Sequence, residues 1–205
     1  MAVFTDETAL KTAMTENSGS AFVDSYILGA DTTHFDLNKR RFVSDLINEE
    51  YGIQVEAQEL VVVGSSKLGF GINEKRLFDG RIAPAYRPFS EFSDIDLSIC
   101  SPALFNLLWH EISANFHQLS YFPYKCRKLG DYFTYGWLRL DQIPYDVAPR
   151  LVKCESLKVL RGKARKDRVN GHPKLNFGIF HDVHHLKLYQ LRSVDACRKK
   201  LESPL

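Results

Sequence analysis

The sequence predicts an α+β fold, with short strands carrying polar residues set between helical ends. Three observations lead there. Apolar side chains recur at helical spacing in the first fifty residues, two short runs have the composition or alternation of strands, and the chain from Asp182 to Leu201 again reads as helix. With 205 residues, one well-buried domain is expected across 1–205. It divides into a helical N-terminal segment (1–52), a core (53–150), and a basic segment with a C-terminal helix (151–205).

Taken in order, Asp36 is placed to cap a helix through Lys39, Phe42, Val43, Leu46 and Ile47 that ends at Gly52. The run ELVVV at 59–63 is β-branched, and Gly64 and Ser65 stop it, as at the end of a buried strand. The stretch 72–90, with Gly80, Pro84 and Pro88, reads as an extended loop long enough to suggest function. DIDLSIC at 94–100 alternates polar with apolar residues, a half-buried strand with Asp94 and Asp96 on one face. Ser101 is expected to cap a helix opened by Pro102, with Leu104, Phe105, Leu108 and Ile112 on its core side. FTYGWLRL reads as strand or irregular helix, 143–147 as a short strand despite Pro144, and a basic helix is expected from about Glu155. A strand at Leu175–Phe180 precedes the final helix.

Composition excludes several classes. Net charge is +2, from 27 basic and 25 acidic residues, which does not mark a nucleic-acid binder. The local basic run of Lys158, Arg161, Lys163, Arg165, Lys166 and Arg168 reads first as a solvated helix face and second as a field for phosphates. Cys100, Cys126, Cys154 and Cys197 are scattered, without the paired spacing of a zinc site or a disulfide framework. No stretch approaches the roughly 20 apolar residues of a membrane span and no leader is evident, so a reducing cytoplasm is expected. His181, His184 and His185, with His172 nearby, have the spacing of a shared helix face but lack a His-Glu-x-x-His pattern, and read as a helix-start surface. No nucleophile motif supports Ser-His-Asp hydrolysis.

The chemistry lies in an ordered pair of features. Glycine lets backbone approach an anion closely, and a following serine offers its hydroxyl and N–H. Gly64 and Ser65 would grip phosphate, with Ser66 and Lys67 as supporting candidates and Arg87 as a further cation. Asp94 and Asp96, two residues apart on a strand, would share hard divalent cations, which favour carboxylates together with substrate phosphates.

In VVVGSSKLG followed by FSDIDLSI, the chain resembles the DNA polymerase beta-like nucleotidyltransferase superfamily, whose signature is an apolar strand, Gly-Gly or Gly-Ser, and then an acidic-x-acidic strand. The resemblance rests on Gly64, Ser65, Asp94 and Asp96. It implies a mixed sheet flanked by helices, magnesium or manganese, and a nucleoside triphosphate whose nucleoside monophosphate passes to a hydroxyl. It also implies a third carboxylate on a later strand. Asp146 in IPYDVAPR is the first candidate, by likeness to the branch of oligoadenylate and bacterial cyclic-oligonucleotide synthases, with Asp141 and Asp182 in reserve. Two departures stand out: the Ser65-to-Asp94 gap is long, and 121–205 leaves little room for the larger helical domain of many members. A minimal enzyme, or one needing a partner protein, is therefore expected. The acceptor stays open among a nucleotide, an RNA end, a protein and a small molecule. By resemblance the setting is bacterial antiphage defence or a toxin–antitoxin pair. The alternative is an inactive module of this fold that binds nucleotide, nucleic acid or a partner protein.

Overall fold

A computed structural model describes residues 2–29, 31–32, 35–77, 79–90, 93–117, 125–143, 147–166 and 175–203. Its centre is a mixed four-stranded sheet of order β1-β6-β8-β7: β1 (Leu60–Val63), β6 (Ile95–Cys100), β7 (Trp137–Leu138) and β8 (Leu175–Phe180). β1 runs antiparallel to β6, β8 lies parallel to β6, and β7 closes the edge antiparallel to β8. Helices flank this sheet, and the α+β class read from the sequence holds.

Alternation along the strands sorts the sheet into two faces. Leu60 and Val62 of β1, Ile95, Leu97 and Ile99 of β6, and Leu175 and Ile179 of β8 enter one core cluster. Val43 and Ile47 of α3 (Leu37–Tyr51), Leu104 and Leu108 of α5 (Pro102–Phe116), and Leu157 and Leu160 of α7 (Val152–Lys166) belong to the same cluster. The other face is built from Val63, Cys100 and Phe180 with Leu10 and Met14 of α1 (Glu7–Glu16), Phe22 and Val23 of α2, and Leu186, Val194 and Cys197 of α8 (Val183–Glu202). α2 opens as Gly19–Phe22 and continues as a π-helical turn, Val23–Leu28. Full burial of one such Leu, Ile or Phe contributes about 1.5–3 kcal/mol, so both faces supply substantial stability.

Helix ends follow local chemistry. The Asp36 carboxylate accepts from the Lys39 N–H at 3.0 Å, and Gly52 ends α3 in the left-handed region at φ 63°, where a side chain would be strained. Pro102 opens α5 and Ser101 is its N-cap residue, as expected, but the Ser101 side chain makes no capping hydrogen bond. Its hydroxyl is buried without a hydrogen-bond partner, and its backbone N–H donates to the Phe180 carbonyl at 3.2 Å. That bond ties the end of β6 to β8.

Two regions differ from the reading above. The stretch 72–90 is a nested pair of short ribbons: β2 (Phe70–Gly71) with β5 (Arg87–Pro88), and β3 (Lys75–Arg76) with β4 (Ile82–Ala83). Strands of two residues are too short to show a period, and the prolines hid them further. FTYGWLRL resolves into the end of α6 (Lys125–Thr134), a turn with Gly136 at φ 60°, and then β7. Of the strand expected at 143–147, residues 144–146 lie outside the described residues. Among the described residues, no helix is long and apolar enough to cross a membrane.

Candidate functional site

The polar side of β6 leads from Asp94 and Asp96 through Ser98 to buried Cys100, while Ile95, Leu97 and Ile99 anchor the opposite side. Asp96 pairs in register with Val63 on one flank and with Asn176 on the other. Its carboxylate therefore lies beneath the turn that leaves β1. Gly64 sits there at φ 70° and ψ −153°, a conformation open to glycine, and a Cβ at this position would stand 2.9 Å from the Asp96 Oδ2. Glycine is thus required twice, for the backbone shape and for the approach of the carboxylate.

Asn176 bridges the aspartates. Its Nδ2 donates to Asp94 Oδ2 at 3.1 Å and to Asp96 Oδ1 at 3.2 Å, so two acceptor oxygens converge on one donor. Burial pushes the Asp96 carboxyl above the ordinary carboxylate range. The Asn176 hydrogen bond opposes that shift, Asp94 adds to it, and Lys75 opposes it.

This group forms one end of a cleft of about 560 Å³. Gly64, Ser65, Lys75 and Arg87 border the carboxylate end, while Trp137, Phe180 and Tyr189 form an aromatic wall beside Gln190 and Ser193. The floor between them is low because Ser98 and Gly178 face each other in register. A Cβ on Gly178 would meet the Phe180 ring at 3.3 Å and the Trp137 Nε1 at 3.8 Å. Trp137 stacks on Phe180 with ring centres 5.9 Å apart, and Tyr189 tilts against Trp137 at 4.6 Å.

No family model, curated protein or solved structure matches this chain. The assignment of chemistry therefore rests on the cleft itself.

Gly64, Ser65 and Asp96 line the cleft together, with Asp94 beside them through Asn176. Ser66 and Lys67 do not reach it. The Ser66 side chain is fully buried, and its hydroxyl donates back to the Val63 carbonyl at 3.1 Å. Lys67 is 4% exposed; burial lowers its pKa, with Asp31 acting to raise it and Arg40 to lower it further. The short helix α4 (Ser65–Leu68) turns successive residues by about 100°, which sends Ser66 and Lys67 inward while Ser65 faces the cleft. Arg87 lines the cleft, but its Nη1 is engaged by the carbonyls of Asn73 at 3.2 Å and Ala83 at 3.0 Å, and by that of Pro84. It fastens the ribbon excursion.

For the third acidic position, Asp146 and the Asp141 side chain lie outside the described residues. Asp182 belongs to a different place. It follows the far end of β8, whose Phe180 pairs with Cys100, and its carboxylate caps α8 by accepting from the His185 N–H at 3.0 Å. The strand beside Asp96 presents Asn176 instead. Sequence reasoning missed Asn176, Lys75 and the aromatic wall. An asparagine inside LNFGIF has no motif value until β8 is known to lie against β6.

Proposed function

We propose that the chain is a magnesium-dependent nucleotidyltransferase that moves a nucleoside monophosphate from a nucleoside triphosphate to a hydroxyl acceptor. The observation that carries this reading is the gathering of Asp94 and Asp96 on the Asn176 amide beneath the Gly64–Ser65 turn, at one end of a cleft with an aromatic wall.

The donor set suits magnesium. Two carboxylates stand close enough to share the Asn176 amide, their oxygens are hard donors, and the raised Asp96 carboxyl would gain from a cation that offsets its burial. When bound, magnesium would supply charge neutralisation of the triphosphate and of the pyrophosphate that leaves. The protein's own residues then have separable roles. Asp94 and Asp96 hold the cation, Gly64 allows the phosphate chain close to backbone, Ser65 offers a hydroxyl, and exposed Lys75 lends positive charge at the mouth. Trp137 and Tyr189 offer an apolar surface to the base. The bond from the α-phosphorus to pyrophosphate breaks as the bond to the acceptor oxygen forms, and the acceptor's proton passes to a base; Asp146 is the proposed carboxylate for that role.

A second reading is favoured by Asn176. A neutral amide on the strand next to Asp96 suits a module of the same shape that binds magnesium and nucleotide without transfer. Incubation with labelled nucleoside triphosphates, magnesium or manganese, and candidate nucleotide, RNA, protein and small-molecule acceptors separates the two. Pyrophosphate release that disappears in Asp94→Ala with Asp96→Ala supports transfer. Nucleotide binding without turnover on any acceptor rejects transfer and leaves the module. Its setting, antiphage or toxin–antitoxin, is proposed with the enzyme.

A further inference from the structure

At the end of β8 remote from the carboxylate pair, three ligand-type side chains gather around one point. The donor atoms of His181, Asp182 and His185 all lie within 4.8 Å of one another. His181 Nδ1 is 3.0 Å from Asp182 Oδ2, and His185 Nδ1 is 2.8 Å from Asp182 Oδ1. Neighbouring donors around an ion with ligands at about 2.1 Å stand roughly 3.0–3.4 Å apart, so the two histidine–carboxylate pairs already have about that spacing and an ion would draw the whole group in from its 4.8 Å span. Two imidazoles and one carboxylate suit a borderline ion such as zinc far better than magnesium, which takes oxygen.

The ligand positions are held by the fold. The His181 backbone N–H donates to the Gly136 carbonyl at 2.8 Å, and its ring stands edge-on to Phe105 at 5.3 Å. The His185 ring lies against Gly136, where a Cβ would come within 2.2 Å of its Cδ2. Asp182 is fixed as the cap of α8, its Oδ1 accepting from the His185 N–H. All three side chains keep a path to solvent, with exposures of 37%, 36% and 31%.

We propose that His181, Asp182 and His185 form a binding site for one zinc-class divalent ion. The Nδ1 atoms of both histidines and Oδ2 of Asp182 are its protein ligands, because Oδ1 is engaged by the cap. Three protein ligands leave a position for water or for a donor from another molecule. The site lies five residues along the chain from Asn176, roughly 16 Å for an extended strand, so it does not rest on the nucleotide reading.

The test uses the full chain without a polyhistidine tag, stripped with chelator and titrated with zinc alone. It is run in the Asp94→Ala, Asp96→Ala background so that the cleft carboxylates take up none. Calorimetry and elemental analysis read the stoichiometry, and cobalt absorption reads the ligand set. The expected result is one ion per chain. Affinity falls by more than about 100-fold in His185→Ala and in Asp182→Asn, going beyond what loss of outer-shell partners typically costs. It is unchanged in His184→Ala, whose ring stands 5.8 Å from that of His185. Asn caps helices about as well as Asp, so the Asp182→Asn protein keeps α8 while losing the anionic ligand. No stoichiometric uptake, or uptake that survives both His185→Ala and Asp182→Asn, overturns the proposal and leaves the cluster as a hydrogen-bonded cap.

Discussion

The two ends of β8 hold carboxylates in opposite electrostatic states. At Asn176, two aspartates share a single amide donor, and Asp96 is pushed up by burial, with Asp94 adding to the rise. At Asp182, one aspartate faces two histidines and a backbone N–H. Burial would raise it, but the hydrogen bonds from His181 and His185 outweigh that and hold it well below the usual carboxylate range. The first cluster brings two like charges together, one of them partly buried. The second is balanced without a cation, so any ion there must compete with hydrogen bonds already made. Clustered carboxylates and carboxylate–histidine clusters thus differ in kind: in the first, like charge and burial raise a carboxyl, and in the second, donors lower it.

The largest expected effect breaks the first cluster. Replacing both Asp94 and Asp96 by alanine should lower pyrophosphate release by more than about 100-fold, since even outer-shell partners of a metal contribute 10–100-fold. The folded state should survive, because the charges removed repel one another. Circular dichroism alongside the activity assay checks both parts.

Asn176→Asp sharpens the comparison. A third carboxylate in register with Asp96 should tighten magnesium binding by about tenfold, roughly 1.4 kcal/mol, while destabilising the magnesium-free protein through like charge. Melting curves with and without magnesium should diverge more than in the native chain. Equal curves would show that position 176 does not face the cation.

Gly64→Ala strains a backbone conformation reserved for glycine and pushes a methyl group toward Asp96 Oδ2. A loss of about 1–3 kcal/mol is expected. At roughly 2–4 °C of melting temperature per kcal/mol for a domain of this size, the shift is easily measured.

The last effect is confined to alkaline pH and lies in two buried thiols, Cys100 at the end of β6 and Cys154 in α7. Burial, with Asp182 and then Glu59 adding, pushes the Cys100 thiol up to about 12, and burial with Glu111 does the same for Cys154, also to about 12. A thiol whose folded pKa exceeds its unfolded value contributes stability that is fully present below the unfolded pKa, about 8.5, and is lost as pH rises toward 12. Melting temperature should therefore decline between pH 8.5 and 11, and more gently in Cys100→Ala with Cys154→Ala. Both thiols should also resist alkylation at pH 8 while the protein is folded.

Much of this was legible locally. Asp36 and Gly52 bracket α3, Pro102 opens α5, and Leu175–Phe180 is a strand within the limits read from its residues. The alternation of DIDLSIC placed Asp94 and Asp96 on one face because a strand has a period of two wherever it lies. Where Ser66 and Lys67 point was not legible, for an equally local reason. Adjacent positions on a single helical turn differ in direction by about 100°, so closeness to Gly64 and Ser65 in sequence does not decide which face a side chain takes.

The sequence by itself determined β1, β6 and β8, the ends of α3, the start of α5, the glycine-serine turn and the aspartate pair, since each depends on backbone preferences within a few residues. Tertiary structure alone decided what those parts face. Asn176 meets Asp96 across 80 residues of chain, Trp137 and Tyr189 close a cleft opened by Gly178, and His181 and His185 share Asp182 above Gly136. Register between distant strands is set by the packing of both faces at once, and no local pattern encodes it.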